Sequence, residues 1–306
     1  MRKCIVILIL ITLFTACKKE EVLRDENAKL KVVATTSQVT DLLKQVAGDL
    51  IELDGLMGPG VDPHLYKASG GDVAKFSNAD AIFYNGLHLE GKLEDIFETM
   101  KHQGKATISV AKAIDKQALI SSTDFASNYD PHFWFNISNW RKSAQYVADQ
   151  LSVLDAKNAT LYNNNAQQYI KELEALEKRL HKKVNELPKG KRVLVTAHDA
   201  FAYLGKAYDF EVVSLQGLST VAEAGVQDVQ RLANIIINKK VKAIFIESSV
   251  PVRTVQALQA AVKAKGYEII IGGTLFSDAL GSSNAIEGTY IGMYTYNMET
   301  IVNALK

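Results

Sequence analysis

Between about residues 158 and 187 the chain carries its longest helical pattern. Tyr162, Ala166, Tyr169, Leu173, Leu176, Leu180, Val184 and Leu187 recur there at steps of three or four. Charged residues fill the other face, Glu174 and Lys178 stand as an i,i+4 pair, and Pro188 and Gly190 stop the pattern. At ~1.5 Å per residue such a helix spans roughly 43 Å, enough to run the height of two lobes. A coiled-coil seam is the alternative, but a single stripe without neighbouring heptads favours packing on the chain's own lobes. A helix of this kind is stiffer than a pair of loops, so large hinge closure is not the expectation.

The halves on either side repeat one scheme. In the first, short apolar or β-branched runs at Leu30 to Ala34, Ile51 to Leu53, Ala81 to Tyr84 and Ala106 to Val110 read as strands. Val39, Leu42, Leu43 and Val46 mark one helix between them. In the second, strands are expected at Arg192 to Val195, Glu211 to Leu215, Ala243 to Ile246 and Glu268 to Ile271. Helices are expected around Val226, Val229, Leu232 and Ile236 and from about Thr254 to Lys265. Strands alternating with helices predict an α/β fold with parallel sheets covered on both faces. The expected division is an N-terminal lobe over residues 30–155, a linking helix over 156–188 and a C-terminal lobe over 189–306.

The N-terminus points to export. Arg2 and Lys3 precede an apolar run from Cys4 to Phe14, broken only by Thr12 and shorter than the ~20 residues of a spanning helix. The run ends in Leu13-Phe14-Thr15-Ala16-Cys17, which resembles a bacterial lipobox, with Phe14 where Leu is usual. The expectation is a signal peptide over residues 1–16, lipid on Cys17, and a charged tether over 17–29. The alternative is a plain secretory signal. Either way the protein is exported, held at a bacterial membrane if lipidated, on the periplasmic side or the cell surface. With Cys4 discarded and Cys17 lipidated, neither a disulfide framework nor a thiolate zinc site is available. The 35 Lys and Arg against 34 Asp and Glu give no electrostatic case for nucleic acid.

Four residues sit where an ion between two lobes would need them. His64 and His132 fall in a repeated triplet, Asp62-Pro63-His64 and Asp130-Pro131-His132. His198 follows Val193-Leu194-Val195, and Asp278 follows Ile269-Ile270-Ile271 and an expected turn at Gly272-Gly273. Open parallel sheets bind ligands beyond the carboxyl ends of their strands, and these residues lie there. Imidazole nitrogens and a carboxylate suit a borderline divalent ion such as zinc. Pro63 and Pro131 fix the backbone just before each histidine, and Asp62 and Asp130 are candidates to orient the rings.

The segments Gly58–His64, Asn85–Glu90, Asp130–Phe135, Thr196–Phe201, Gly217–Glu223, Ile246–Ser249 and Leu275–Asp278 resemble, in order, motifs of the TroA-like family. That family comprises zinc- and manganese-binding solute-binding proteins of bacterial ABC importers, and the resemblance runs from about residue 30 to the end. It implies two (β/α)4-like lobes joined by a rigid helix, with the ion buried between them on His64, His132, His198 and Asp278. It implies as partners an ABC permease and its ATPase subunit, with a monomeric binding protein and no catalysis. Manganese-specialised members carry Glu at the position of His198, so the three-histidine set here resembles the zinc-binding and broader members. Zinc is therefore the expected tightest ion, with manganese or ferrous iron as alternative cargo. The His-rich loop of many zinc-specialised members is absent, since residues 111–128 contain no histidine.

Glu223 and Glu247 match family motifs and are expected as loop anchors or hydrogen-bond partners of the ligands. His88 could approach the cleft but is not expected as a ligand, His102 and His181 are read as solvated, and Phe133 and Trp134 as walls of the site. Two rivals remain at this point. One is an exported metallohydrolase with Glu223 or Glu247 as general base, although no His-Glu-x-x-His sequence occurs. The other is a surface adhesin, which nothing in the sequence addresses.

Overall fold

The computed structural model describes residues 28–123 and 125–306. The signal peptide, Cys17 and all but the end of the tether lie outside the described residues. Strands β1 (Leu30–Ala34), β2 (Ile51–Gly55), β3 (Ala81–Tyr84) and β4 (Ala106–Ser109) pair in parallel in the order β2-β1-β3-β4. The order reverses between β1 and β3, and a crevice opens at the carboxyl ends of such neighbours. In the second half, β5 (Val193–Thr196) pairs in parallel with β6 (Glu211–Ser214), and β7 (Ala243–Glu247) with β8 (Ile270–Leu275). The expected four strands are present there as two separate ladders, with β5 packed beside β7.

The helices are α1 (Ser37–Ala47), α2 (Gly70–Asn78), α3 (Glu94–His102), α4 (Ile137–Leu154), α5 (Ala159–Val184), α6 (Ala202–Tyr208), α7 (Val226–Lys239), α8 (Val252–Ala264) and α9 (Tyr290–Leu305). Local chemistry starts several of them. Thr36 Oγ1 accepts the Val39 N–H at the head of α1, Asn136 Oδ1 accepts the Asn139 N–H at the head of α4, and Thr289 Oγ1 accepts the Gly292 N–H at the head of α9. The N-terminal sheet is covered on one face by α2 and α3, through Phe76, Phe97 and Met100. The C-terminal strands pack through Val195 and Ile244 on Leu232 and Ile236 of α7 and Leu258 and Val262 of α8.

The long helix α5 buries the whole expected stripe, from Tyr162 to Val184, with Leu187 just beyond it. It lies against α1 and α4 of the first half and α9 of the second. One apolar core consequently runs through both halves, from Leu30 and Leu43 through Leu173 and Leu180 to Tyr294 and Ile301. Polar ties cross at the same place. Tyr290 N–H donates to Asp41 Oδ2 at 3.0 Å, Tyr290 OH to Trp134 O at 2.5 Å, and Tyr294 OH to Phe135 O at 2.6 Å. A hinge here would have to open a packed core and strand buried polar groups, so the rigid link follows from packing as well as from the helix.

One expectation is overturned. Gly272-Gly273 is not a turn after a strand ending at Ile271; β8 runs through it to Leu275, with a bulge opposite Ile244 and Phe245. The glycines are there because α9 lies on the strand. A Cβ on Gly272 would stand 2.7 Å from Ala304 Cβ, and one on Gly273, whose φ is +142°, 2.7 Å from Thr300 Cγ2.

Candidate metal centre

His64 sits on the loop between β2 and α2, and His132 on the segment between β4 and α4. His198 lies two residues beyond β5, and Asp278 three residues beyond β8. All four are buried at the carboxyl ends of strands, two from each half. One donor atom from each falls within 4.8 Å of all the others. The three imidazole centroids are 5.3–6.0 Å apart. His132 Nε2 is 3.4 Å from Asp278 Oδ1, and His198 Nε2 is 3.2 Å from Asp278 Oδ2. Donors ~2.0–2.1 Å from a tetrahedral ion stand about 3.3 Å from one another, so these two edges already have that length.

The hydrogen bonds decide which atoms face inward. His132 gives both its backbone N–H (2.8 Å) and its ring Nδ1 (2.7 Å) to Asp130 Oδ1. His198 gives its backbone N–H to Glu247 Oε1 (2.8 Å) and its ring Nδ1 to Glu247 Oε2 (2.6 Å). With the proton on Nδ1, each ring presents the Nε2 lone pair to the centre. The Nε2 atoms of His64, His132 and His198 and both oxygens of Asp278 are fully buried, and none has a hydrogen-bond partner outside this cluster. Buried polar atoms without partners are costly, and a convergent set of five, all potential donors to one cation, fits a divalent ion.

The electrostatics agree. Burial opposes a charged His132, but Asp130 and Asp278 outweigh it and hold its pKa up at about 9. Burial likewise opposes charge on His198, whose pKa Asp278 and Glu247 raise well above the ordinary value. Asp278 is held well below the carboxylate range by His198 and His132, against its own burial. For His64 burial wins: together with the neighbouring His132 and His198 it outweighs the attraction of Asp278 and pushes the pKa down to about 3. Without a metal the carboxylates favour protons on the His132 and His198 rings, and a metal would compete with those protons for the Nε2 lone pairs.

The other expected residues divide. Asp130 and Glu247 orient rings. Asp62 does not: its Oδ1 takes the backbone N–H of His64 at 2.8 Å and its Oδ2 takes Thr220 Oγ1. Glu223 is a surface residue, with 84% of its side chain exposed and Arg253 4.0 Å away, so it cannot support a ligand. His88 pairs with Glu94 at 2.6 Å near the surface, and Trp134 meets the His132 ring edge-on with centroids 5.2 Å apart. Two supports carried no assigned role in the sequence. Buried Glu90 accepts Thr35 Oγ1 (2.6 Å) and the N–H groups of Asn85 (2.7 Å) and Gly86 (3.1 Å), tying the loops after β1 and β3. Asn85 Nδ2 then donates to Pro131 O at 3.1 Å, next to His132. Their motif was visible, but a carboxylate serving only backbone groups has no sequence signature. A pocket of about 360 Å³ between the halves, lined by Phe125, Asp130, Asp199, Gly217 and Ser219 among others, reaches the back of this centre.

A family profile described as zinc-uptake complex component A, periplasmic, matches residues 32–304. The manganese-binding lipoprotein MntA of Bacillus subtilis is 43% identical over 292 residues, covering 95% of each chain. The zinc-binding protein TroA of Treponema pallidum is 44% identical over 279 residues, 91% of this chain and 90% of that one. The solved structure of the Treponema pallidum periplasmic zinc-binding protein TroA superposes with a TM-score of 0.88 over 91% of this chain and 99% of its own. With the fold, the buried donor set and nearly the whole length in agreement, the chain belongs to the zinc-uptake component A family of metal-binding proteins.

Proposed function

We propose that this chain is the extracytoplasmic solute-binding protein of a metal ABC importer. It captures one divalent transition ion on His64, His132, His198 and Asp278 and delivers it to a permease driven by an ATPase. The observation that carries the reading is the set of five buried donor atoms, without partners outside the cluster, that converge from both halves. Relatives of nearly equal identity are named for manganese and for zinc, so the cargo is argued from the donors. Three imidazoles and one carboxylate favour zinc, with manganese or iron as alternative cargo. Four protein donors complete a tetrahedron and leave no position for an activated water, which supports binding without catalysis. Lipid on Cys17 would hold the protein as a monomer beside its permease; no helix among the described residues is long and apolar enough to cross a membrane.

The fold suits delivery by small local movements. The shared core fixes the two halves, while the ligands sit on loops at strand ends, where displacement costs least. The test is a chelator-competition titration of zinc against wild type and His64→Ala, His132→Ala, His198→Ala and Asp278→Ala. Each substitution should weaken zinc binding by orders of magnitude while the metal-free protein still folds. Unchanged affinity would remove that residue from the site.

A further inference from the structure

The three histidines are not held alike. His132 and His198 are each gripped at ring and backbone by one carboxylate of their own half. The ring of His64 makes no hydrogen bond among the described residues; only its backbone N–H is held, by Asp62. The loop that carries it is fastened from the opposite half instead. Thr220, a buried residue between β6 and α7, donates its hydroxyl to Asp62 Oδ2 at 2.5 Å. The same loop meets the C-terminal half a second time at Gly60, where φ is +71° and a Cβ would stand 3.3 Å from the Ser248 carbonyl oxygen. On either side of Thr220, Gly217, Leu218, Ser219 and Ala222 wall the pocket that also contains Asp130 and Asp199.

We propose that Thr220 is a positioning residue of the metal centre: acting through Asp62, it clamps the His64 loop across the cleft and sets how long the ion is held. The inference rests on the metal-capture reading above. A charged acceptor makes this hydrogen bond a strong one, and among the described residues it is the side-chain hydrogen bond that joins the His64 loop to the other half. Breaking it frees the ligand whose ring has no other tether and leaves the remaining three in place. Release then begins at His64, without opening the core around α5.

The experiment compares Thr220→Val, which removes the hydroxyl at nearly constant shape, with Thr220→Ser, which keeps it, in the full mature protein. Zinc release into excess chelator is followed by stopped flow and affinity by competition. Thr220→Val should release zinc about tenfold faster or more, the effect of losing a hydrogen bond to a charged group, while Thr220→Ser stays within about twofold of wild type. In a His64→Ala background, Thr220→Val should add nothing further, because the clamp acts through His64. Release unchanged in Thr220→Val, or accelerated equally in the His64→Ala background, would overturn the proposal and leave the metal-capture reading standing. A wild-type protein that takes up no zinc would overturn both.

Discussion

Replacing Glu247 with Gln isolates the part of the site that the hydrogen bonds define most sharply. Glu247, at the end of β7 and 2% exposed, accepts two N–H groups from His198 with its two oxygens. Glutamine has the same shape and only one oxygen. If that oxygen keeps the backbone N–H, the amide NH2 faces Nδ1, and His198 has to accept there and carry its proton on Nε2. That is the atom 3.2 Å from Asp278 that faces the centre. If the amide is flipped, the NH2 confronts the backbone N–H in a buried donor–donor clash. Losing a hydrogen bond to a charged group costs about 1.5–3 kcal/mol, which at about 1.4 kcal/mol per tenfold is roughly 10–100-fold in affinity. Carboxylates that orient metal-bound histidines are worth the same range, about 10–100-fold. Glu247→Gln should therefore weaken zinc binding by about that factor, read by competition against a fluorescent chelator at fixed pH, with circular dichroism confirming the fold. Zinc affinity within about threefold of wild type in a folded variant would refute the tautomer argument.

Zinc affinity should rise from pH 6 to 9, because the ion displaces protons held on His132, whose pKa is raised to about 9, and on His198. Calorimetry in buffers of different ionisation enthalpy reads the released protons, and pH-independent binding would contradict the site's electrostatics. Without metal, the raised pKa of His132 contributes stability that is complete below its unfolded value of about 6.5 and lost as pH rises through about 9. His64, lowered to about 3, contributes in the opposite sense: fully above about 6.5, and lost as pH falls towards 3. The metal-free melting temperature should thus decline on both sides of about pH 6.5. Leu173→Ala, at a fully buried position in α5, should cost about 2–5 kcal/mol in denaturant unfolding, yet leave the zinc affinity of the folded protein within about threefold. Zinc at about 1,000 times its dissociation constant should stabilise the fold by about 4 kcal/mol; a melting curve indifferent to zinc and manganese alike would count against a buried ion.

Much of the architecture was legible because the signals were periodic. The α5 stripe, the Val39–Val46 face and the strand runs at Leu30–Ala34 and Ala81–Tyr84 are apolar patterns that only one kind of element satisfies. The close grouping of His64, His132, His198 and Asp278 followed from loops at strand ends, where parallel sheets gather side chains. What failed depended on partners distant in sequence. Gly272-Gly273 looks like a turn until α9 is laid on it. Asp62 and Asp130 occupy identical triplets, yet one orients a ring and the other meets a threonine from the opposite half. Glu223 and Glu247 were equally plausible as acids in matched motifs. Only the packing of β7 beside β5, which brings Glu247 to His198, separates the buried one from the exposed one.

The central claim is tested most directly by a crystal structure of the zinc-loaded protein with anomalous data collected on both sides of the zinc edge. One strong peak is expected between the halves, about 2.0–2.1 Å from the Nε2 atoms of His64, His132 and His198 and from an Asp278 oxygen. A peak elsewhere, or one lacking any of these four donors, would contradict it.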